Sequence, residues 1–349
     1  MLKTMQQEAT LVSEIRAEID TRGGRMTFER FMECALYHPR LGYYTSGRAH
    51  IGKAGDYFTS VSVGPLFGTM LAAQFRAFHD ALGSPPDFQV VEFGGQCGRL
   101  RDDVLAAAPG LRYRIIERGD VLDGPVVGCI FSNEFLDALP VHRVRVAGGE
   151  WKELYVTTEP APGAAACPAR GECRFVEVPG PLSTPRLAEI LGDLPVDRME
   201  GYQTEVNLRA LDWQEDVARK LRRGFVLTID YGYERHEYFA PQHRAGTLLC
   251  YYRHTKNDDP FRQVGEQDIT AHVEFTSLIE HGRLLGLEPV LFTDQSHYLV
   301  EIGRAQIAEI VERTAGQFSR ERAAVHQLIH PELMGRTFKV LIQEKRGPE

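Results

Sequence analysis

The sequence predicts an α/β protein built around a doubly wound, mostly parallel sheet. Strand patterns at 88–93, 112–117 and 128–132 are joined by Gly-rich turns and a helical pattern at 98–107. Alternation of buried strands with helices is typical of a parallel sheet that carries helices on its faces. The length of 349 residues fits one large or two joined domains, and the 43% hydrophobic content is that of a globular protein.

An N-terminal extension is predicted to precede this sheet. Apolar residues recur at helical spacing from Leu11 to Ile19, and a second helical pattern covers 27–37. Residues 41–62 are rich in Gly, Tyr and Ser, which predicts an ordered loop or short hairpins. We therefore expect residues 1–64 to form a helical and loop extension.

The sheet domain itself is predicted to occupy residues 65–140 and 201–349, beginning with an amphipathic helix at 65–82. Between these parts the pattern changes to a hairpin around Gly148, a Pro/Gly/Ala-rich loop and a short strand. Residues 141–200 are therefore predicted to be a β-rich insertion.

The α/β rhythm resumes after the insertion. A helix is predicted from Leu208 to Leu221, ended by Gly224, and a buried strand follows at 225–230. The remaining predicted elements are a helix at 274–285 and strands at 248–252, 288–293 and 337–343.

Charge, hydropathy and cysteine content exclude several classes of protein. A formal net charge of −8 argues against a dedicated nucleic-acid binder, which usually needs a basic face. The sequence has no apolar run of the roughly 20 residues that a membrane helix needs, so we expect no membrane insertion. Its six cysteines are scattered without a C-x-x-C pair, which favours free thiols in a reducing compartment and predicts a cytoplasmic protein.

The first candidate site is a glycine-rich turn between a strand and a helix. Glu92, Gly94, Gly95 and Gly98 fall in this turn, and Glu117 ends the next strand. Glycines let a ligand approach the backbone, and a carboxylate at the next strand end can bind ribose hydroxyls. Dinucleotide and S-adenosylmethionine sites share this layout, and the acidic residue before the first glycine favours the second. A tight turn without a ligand is the alternative.

Polar side chains end two further strands. Asn133, Glu134 and Asp137 follow the third strand, and Asp230 and Tyr231 follow a later one. Strand ends in open α/β sheets face the ligand crevice. Paired carboxylates there suit a cationic substrate, such as a guanidinium or an amine. Helix capping and an ordinary turn are the alternatives.

Two histidines are weaker candidates. His254 follows a predicted strand and could be a base or an ordinary surface histidine. Asp268 and His272 suggest a metal, but no third ligand is suitably spaced, so helix capping is favoured and no metal is predicted. The sequence contains no G-x-S-x-G, P-loop or H-E-x-x-H motif, which excludes the enzymes that these motifs mark.

The chain resembles the MidA-like family, whose mitochondrial members are methyltransferases that assist respiratory complex I assembly. The resemblance runs from about residue 15 to the end and is carried by the segments MTFERFMECALYHPRLGYY, IGKAGDYFTS, VVEFGGQCG, SNEFLDALPVHR, TIDYGY, GTLLCYYRH, GEQDITAHVEFTSL and MGRTFKVL. It implies a Rossmann-like class I S-adenosylmethionine methyltransferase sheet with an N-terminal extension and an inserted segment.

The resemblance also implies roles for the cofactor-side residues. Glu92 and the three glycines of the turn would line the methionine end of S-adenosylmethionine, and Glu117 would bind its ribose. A loop containing Asp56 would cover the cofactor. Asn133, which opens a family signature after a strand, is also assigned to the cofactor side.

The expected reaction is methyl transfer to an arginine nitrogen of a partner protein, such as a respiratory-complex subunit. Glu134 and Asp137 would orient and polarise the acceptor, while Asp230, Tyr231 or His254 would assist proton removal.

Two departures from the family pattern support other interpretations. Gln96 replaces the middle glycine of the turn, where a side chain could crowd the cofactor or require a backbone angle that Gln disfavours. The connection from Glu117 to Asn133 has no room for the helix and strand that family members carry there. A non-catalytic binding or assembly module, or a methyltransferase acting on a small molecule, is therefore the alternative. The oligomeric state is not predicted.

Overall fold

The structure is a computed structural model that describes residues 2–47, 60–160 and 173–347, apart from 193, 195 and 197. The helices in chain order are α1 (Leu2–Thr21), α2 (Phe28–Tyr37), α3 (Leu66–Ala81), α4 (Arg99–Ala107), α5 (Pro185–Gly192), α6 (Leu208–Lys220), α7 (Arg235–Tyr238), α8 (Phe275–Leu284), α9 (Gln295–Arg313) and α10 (Arg320–Ile329).

The strands complete the secondary structure. In chain order they are β1 (Met26–Thr27), β2 (Gln89–Phe93), β3 (Arg112–Ile116), β4 (Val126–Asn133), β5 (His142–Ala147), β6 (Glu150–Pro160), β7 (Cys173–Gly180), β8 (Gln203–Val206), β9 (Leu221–Tyr233), β10 (Leu249–Tyr252), β11 (Thr255–Asn257), β12 (Asp268–Thr270), β13 (Val273–Glu274), β14 (Glu288–Asp294) and β15 (Phe338–Lys345).

The chain forms two compact units, each built from three separate stretches of sequence. The auxiliary unit consists of Met1–Tyr57, Ala138–Arg209 and His236–Ala271. The sheet unit consists of Phe58–Asp137, Ala210–Arg235 and His272–Glu349.

This grouping differs from the division predicted from the sequence. The N-terminal extension and the insertion, predicted as separate parts, belong to one unit, and that unit also takes residues 236–271. The insertion also runs beyond residue 200, because β8 pairs with β5 at residues 203–206. Strand pairing between distant segments sets these boundaries, and the sequence pattern does not contain that information.

The sheet unit contains the predicted doubly wound sheet. Its strand order is β14-β15-β9-β4-β2-β3, and β13 pairs with the end of β9. Strands β3, β2, β4 and β9 are parallel, whereas β15 runs antiparallel to β9 and β14 antiparallel to β15. The chain leaves β2 for β3 on one side and returns to β4 on the other. The carboxyl ends of β2 and β4 therefore border a topological switch point, where such sheets bind ligands.

The connection between β3 and β4 is as short as the sequence predicted. Residues 117–125 contain no helix or strand, and β3 is the last strand on its side of the sheet. The helix and strand that the family pattern places between these two positions are therefore missing here.

The strands pack closely at the amino-terminal end of the sheet. Gly128 of β4 and Gly224 of β9 both have φ of +140°, and a Cβ on either would collide with a backbone carbonyl of the next strand. Gly224 was predicted to end a helix, and this prediction is wrong. Helix α6 ends at Lys220, and Gly224 lies inside β9, where the close approach of β4 requires a glycine.

Helices pack on the sheet through a core that is rich in aromatic side chains. Phe75 of α3 contacts Phe131 of β4 edge to face at 5.6 Å, and Phe78 stacks on Phe225 of β9 at 4.1 Å. Tyr298 of α9 and other buried residues of α9 and α10 join the same core. Helices α9 and α10, which lie between the last two strands, were not predicted from the sequence.

The auxiliary unit carries two small antiparallel sheets. One has the order β1-β6-β5-β8, with β7 paired to β6, and confirms the predicted hairpin around Gly148. The other has the order β11-β10-β12. Helices α1 and α2 pack on a core in which Ile15, Phe31 and other apolar side chains are fully buried. Thr27 caps α2 by accepting a hydrogen bond from the backbone N–H of Arg30.

Two further expectations can be compared with the described residues. Cys173 is disulfide-bonded, so the expectation of free thiols is wrong for this residue, while Cys34, Cys97, Cys129 and Cys250 are free. In the part of the chain that the structure describes, no helix has both the length and the apolar character needed to cross a membrane.

We expect Gly128→Ala to destabilise the sheet unit by about 2 to 4 kcal/mol, because the new Cβ would meet the backbone of Gln89 at a positive φ. Urea unfolding followed by circular dichroism measures this change. Gly110→Ala is the matched control, since its Cβ would meet no described atom within 4 Å, and its effect should stay within about 0.5 kcal/mol. Equal unfolding midpoints for the two variants would contradict the prediction.

Candidate active site

The candidate site lies at the carboxyl ends of β2, β3, β4 and β9 in the sheet unit. Two short segments define it. Residues 94–98 join β2 to α4 and are called the cofactor turn below; residues 133–137 follow β4 and are called the acceptor turn. Parallel pairing of β2 with β4 and of β4 with β9 brings their carboxyl ends to the same edge of the sheet.

The cofactor turn is compact and packs directly on Glu92. Gly94 has φ of +72°, and its backbone N–H donates to the carbonyl of Ile116 on β3 at 3.0 Å. Gly98, at φ +74°, is the N-cap residue of α4. A Cβ at Gly95 would lie 2.6 Å from a carboxylate oxygen of Glu92, so the glycine is what allows this carboxylate to approach the turn so closely.

Gln96 occupies the position where the family pattern has a third glycine. Its φ of +47° is left-handed, as expected if a glycine conformation is kept, at a cost of about 1 kcal/mol. Its side chain is exposed, and its backbone N–H donates to the Glu117 carboxylate. The Gln96 side chain therefore does not disturb the contact between Gly95 and Glu92.

Glu92 is a buried carboxyl beneath this turn. Its side chain is 3% exposed, and the Tyr113 hydroxyl donates to its Oε2 at 3.1 Å. Burial raises the pKa of Glu92 to about 7, although the hydrogen bond from Tyr113 opposes the shift. The carboxyl group of Glu92 therefore titrates near neutral pH. A cation bound nearby would favour its anionic form.

Glu117 follows β3 and faces the cofactor turn. Its Oε1 is buried and has no hydrogen-bond partner among the described residues. Burial raises the pKa of Glu117, and the backbone N–H of Gln96 lowers it. A buried acceptor without a donor fits the hydroxyl groups of a ribose, which is the role predicted for this residue.

The acceptor turn is held in a strained conformation. Glu134 has φ of +52°, and its backbone N–H donates to the carbonyl of Ile229 on β9 at 3.0 Å. Its Oε1 accepts hydrogen bonds from Asn133 Nδ2 at 3.0 Å and from the backbone N–H of Ser60 at 3.1 Å. A non-glycine residue at positive φ is often part of a functional site, because the neighbouring structure must stabilise it.

Asp230 fixes the same turn from the adjacent strand. Its Oδ2 accepts from the backbone N–H groups of Phe135, Leu136 and Asp137 at 3.2, 2.9 and 3.3 Å, and its Oδ1 accepts from that of Tyr231 at 2.8 Å. Its side chain is fully buried. Burial raises the pKa of Asp230 to about 7, and these four hydrogen bonds lower it. The contacts are those of a positioning residue; proton removal by Asp230 stays a prediction.

Asn133 and Asp137 complete the polar lining of the turn. They are 8% and 6% exposed, and Asn133 Oδ1 is buried without a partner among the described residues. The acceptor turn thus contains a second carboxyl group, that of Asp137, in addition to that of Glu134.

Tyr231 lies beside an aromatic group. Its ring centroid is 3.9 Å from that of Phe338 on β15 and 6.2 Å from that of His272. His272 also stacks on Tyr233 at 5.2 Å. The sequence favoured helix capping over a metal site around His272, and the structure places this histidine against the two tyrosines that follow Asp230.

The remaining predicted site residues, His254 and Asp56, do not belong to the described part of the sheet unit. His254 belongs to the auxiliary unit, where it and Arg253, at φ of +60° and +47°, form the exposed tip of the hairpin between β10 and β11. Asp56 lies outside the described residues. No cluster of three or more potential metal ligands is found in the described part of the chain. Glu274, which accepts from the backbone N–H groups of Thr276 and Ser277, caps α8.

Two features of the site were missed by the sequence analysis. Ser60 bonds the acceptor turn through its backbone, which no side-chain pattern can reveal. Phe93, Phe135 and Trp213 form a cluster of rings beside both turns. The aromatic residues next to Gly94 and Glu134 were visible in the sequence, but their contact depends on the tertiary fold.

Comparisons with known proteins agree with this geometry. Residues 116–293 match the model of a family described as S-adenosyl-L-methionine-dependent methyltransferases. The chain is similar to a candidate methyl transferase from Burkholderia thailandensis solved with S-adenosyl-homocysteine bound. The two are 32% identical, the match covers 98% of this chain and 94% of that one, and the TM-score is 0.85.

Two curated relatives are more distant. The mitochondrial protein arginine methyltransferase NDUFAF7 homolog of Drosophila melanogaster is 24% identical, over 95% of this chain and 84% of its own. The mitochondrial protein arginine methyltransferase NDUFAF7 of Mus musculus is 25% identical, over 90% of this chain and 80% of its own.

We expect Glu92→Gln to remove part of the pH dependence of stability. The folded-state pKa of Glu92, about 7, lies above its ordinary value, so the wild-type free energy of unfolding falls as pH rises from about 4.5 through 7. A neutral amide avoids this loss. The variant should therefore match the wild type near pH 4.5 and exceed it by about 2 to 4 kcal/mol near pH 8.

Urea unfolding at both pH values measures this difference, with the exposed Glu309→Gln as the control that leaves the wild-type profile unchanged. Parallel profiles for wild type and Glu92→Gln would show that folding does not raise the pKa of Glu92.

Proposed function

The chain belongs to the MidA-like family of S-adenosyl-L-methionine-dependent methyltransferases, and we propose that it methylates an arginine side chain of a partner protein. The family membership, the class I methyltransferase fold and the cofactor predicted from the sequence are confirmed by the solved relative that binds S-adenosyl-homocysteine. The arginine acceptor is supported by the names of the curated relatives and by the chemistry of the acceptor turn.

The residues of the cofactor turn fit S-adenosylmethionine. Gly95 lets the Glu92 carboxylate pack directly against the turn, and the buried Oε1 of Glu117 lacks a donor among the described residues. Glu92 would hold its negative charge beneath the turn when a cationic ligand is bound. The bound cofactor supplies an activated methyl group on a sulfonium, so the protein contributes mainly positioning and electrostatics.

The acceptor turn carries the proposal for the substrate. Its main observation is that Glu134, at left-handed backbone angles, and Asp137 lie on one turn, where Asp230 accepts hydrogen bonds from the backbone N–H groups of residues 135–137. A planar guanidinium can form paired hydrogen bonds with carboxylates, which an ammonium group cannot match in geometry. Two carboxyl groups on one rigid turn therefore favour an arginine acceptor.

The same residues would handle the proton that the acceptor nitrogen loses. An arginine guanidinium is protonated at neutral pH, so methylation of its nitrogen requires a nearby base. Glu134 and Asp137 are in position to orient the guanidinium, to hold its positive charge and to accept that proton. Asp230 would act as a positioning residue, because it holds the backbone of residues 135–137, which connects Glu134 to Asp137.

The identity of the partner and the location of the protein are further proposals. A respiratory-complex subunit is the substrate that the family resemblance implies. The cytoplasmic location expected from the cysteines stays a prediction, and the two curated relatives are named as mitochondrial.

We expect the protein to bind S-adenosyl-homocysteine with a micromolar dissociation constant and Glu117→Ala to weaken it about tenfold or more, because the variant removes the acceptor for the ribose hydroxyls. Isothermal titration calorimetry measures both. Glu309→Ala, on an exposed helix face, is the control and should bind like the wild type. Equal affinity in the Glu117 variant would place the ribose elsewhere.

We expect methyl label from S-adenosylmethionine to appear as methylarginine in protein. The purified enzyme is incubated with S-adenosylmethionine that carries a tritiated methyl group and with a cell extract of the source organism. The labelled protein is then hydrolysed to amino acids. Glu134→Gln should lower the rate about 100-fold, because it removes the carboxylate that orients the guanidinium. Label in methyllysine or in small molecules, lost in the same variant, would contradict the arginine proposal and leave the methyltransferase function standing.

A further inference from the structure

Three aromatic rings meet between the cofactor turn and the acceptor turn. The ring centroids of Phe93 and Phe135 are 5.8 Å apart, those of Phe93 and Trp213 are 5.7 Å apart, and those of Phe135 and Trp213 are 6.0 Å apart. Every pair is in the range of edge-to-face or tilted packing. We call Phe93, Phe135 and Trp213 the ring triad.

Each ring comes from a different part of the site. Phe93 is the last residue of β2 and directly precedes Gly94 of the cofactor turn. Phe135 directly follows Glu134 in the acceptor turn. Trp213 lies on α6, the helix that leads into β9. The ring triad therefore connects the two turns with the helix preceding Asp230.

The acceptor-turn ring also rests against the backbone of the cofactor turn. A Cβ on Gly94 would lie 2.7 Å from Cδ2 of Phe135, so Gly94 gives this ring its space. The backbone N–H of Phe135 is held by Asp230 at 3.2 Å. A movement of Gly94 toward the Phe135 ring would therefore either displace this ring or be blocked by it.

Trp213 contributes packing to this contact. Its side chain is 8% exposed, and the buried indole N–H has no acceptor among the described residues. An unpaired buried N–H costs about 1 to 3 kcal/mol, so hydrogen bonding does not explain an indole at this position. Its large ring backs the two phenylalanines instead.

We propose that the ring triad couples cofactor occupancy to the position of the acceptor turn, which makes Phe135 and Trp213 positioning residues for methyl transfer. The inference rests on the proposed function, because it assigns the two turns to cofactor and acceptor. Binding at the cofactor turn fixes Gly94 and hence the Phe135 ring above it. The adjacent Glu134 carboxylate is thereby fixed in the geometry that the acceptor needs.

The physical basis is close packing. Side chains packed at interior density transmit small displacements, because no free volume absorbs them. A misplacement of about 1 Å at a reacting group can lower the rate 100-fold. A leucine at position 135 would fill much of the space but would lose the ring contacts with Phe93 and Trp213.

The chain offers a direct optical test, since it has two tryptophans, Trp151 and Trp213. In a Trp151→Phe background, emission comes from Trp213 alone. We expect S-adenosyl-homocysteine to shift or quench this emission with the same dissociation constant that calorimetry gives. Phe135→Leu in that background should abolish the optical change, while the calorimetric dissociation constant stays within about threefold of the parent.

Kinetics with S-adenosylmethionine and the arginine acceptor supply the second readout. Phe135→Leu should lower kcat about tenfold or more and leave the KM for the cofactor within about threefold, whereas Phe135→Tyr, which keeps the ring, should restore kcat. Phe318→Leu is the matched control, because that phenylalanine is 92% exposed and should affect neither readout. If Phe135→Leu fails to fold by circular dichroism, Phe93→Leu tests the same contact from the other turn.

The outcomes separate this inference from the proposed function. Calorimetric binding without a change in Trp213 emission, or an optical change that survives in Phe135→Leu, overturns the coupling alone. Absence of calorimetric binding by the parent protein overturns the cofactor site and the coupling with it. Loss of the optical change together with the kcat effect and its rescue by tyrosine supports the inference.

Discussion

The carboxylate of Asp230 is the contact on which the rest of the site depends. It accepts four backbone N–H groups, three of them from residues that follow a different strand. A single buried side chain thus ties the end of β9 to the turn after β4. Without this acceptor, three N–H groups of the acceptor turn would lose the hydrogen bond that they make to β9. The placement of the two carboxylates proposed to bind the acceptor therefore depends on Asp230.

The two ends of the sheet serve different purposes. At the amino-terminal end, Gly128 and Gly224 let β2, β4 and β9 approach closely, and no side chain fits between them. At the carboxyl end, Glu92 lies in β2, Glu117 directly follows β3, and the acceptor turn follows β4. Tight packing at one end provides a rigid base, so that the polar groups at the other end are held at fixed separations.

Much of the fold could be predicted because its signals are local. The strand at 88–93, the helix at 98–107 and the short connection before Asn133 follow from periodicity and length alone. Gly224 was misread because a glycine that ends a helix and one that admits a neighbouring strand look the same in sequence. The end of the insertion, at β8, depends on strand pairing between β5 and β8, which lie far apart in the chain. The site residues could be named from strand ends, but the positioning role of Asp230 and the contact of Phe135 with Gly94 needed coordinates.

Each of the two departures from the family pattern is accompanied by a backbone N–H group that contacts a carboxylate. Gln96 keeps the left-handed angle of a glycine and directs its N–H to Glu117, so the turn and the ribose-side carboxylate stabilise each other. Loss of the strand beyond β3 leaves Glu117 at the edge of the sheet, where its own backbone N–H donates to Asp120 at 3.0 Å. The first of these contacts reaches the Glu117 carboxylate, and the second holds the Glu117 backbone. The residues proposed to bind the cofactor lie on or directly after strands β2 and β3, so the short connection that follows removes none of them.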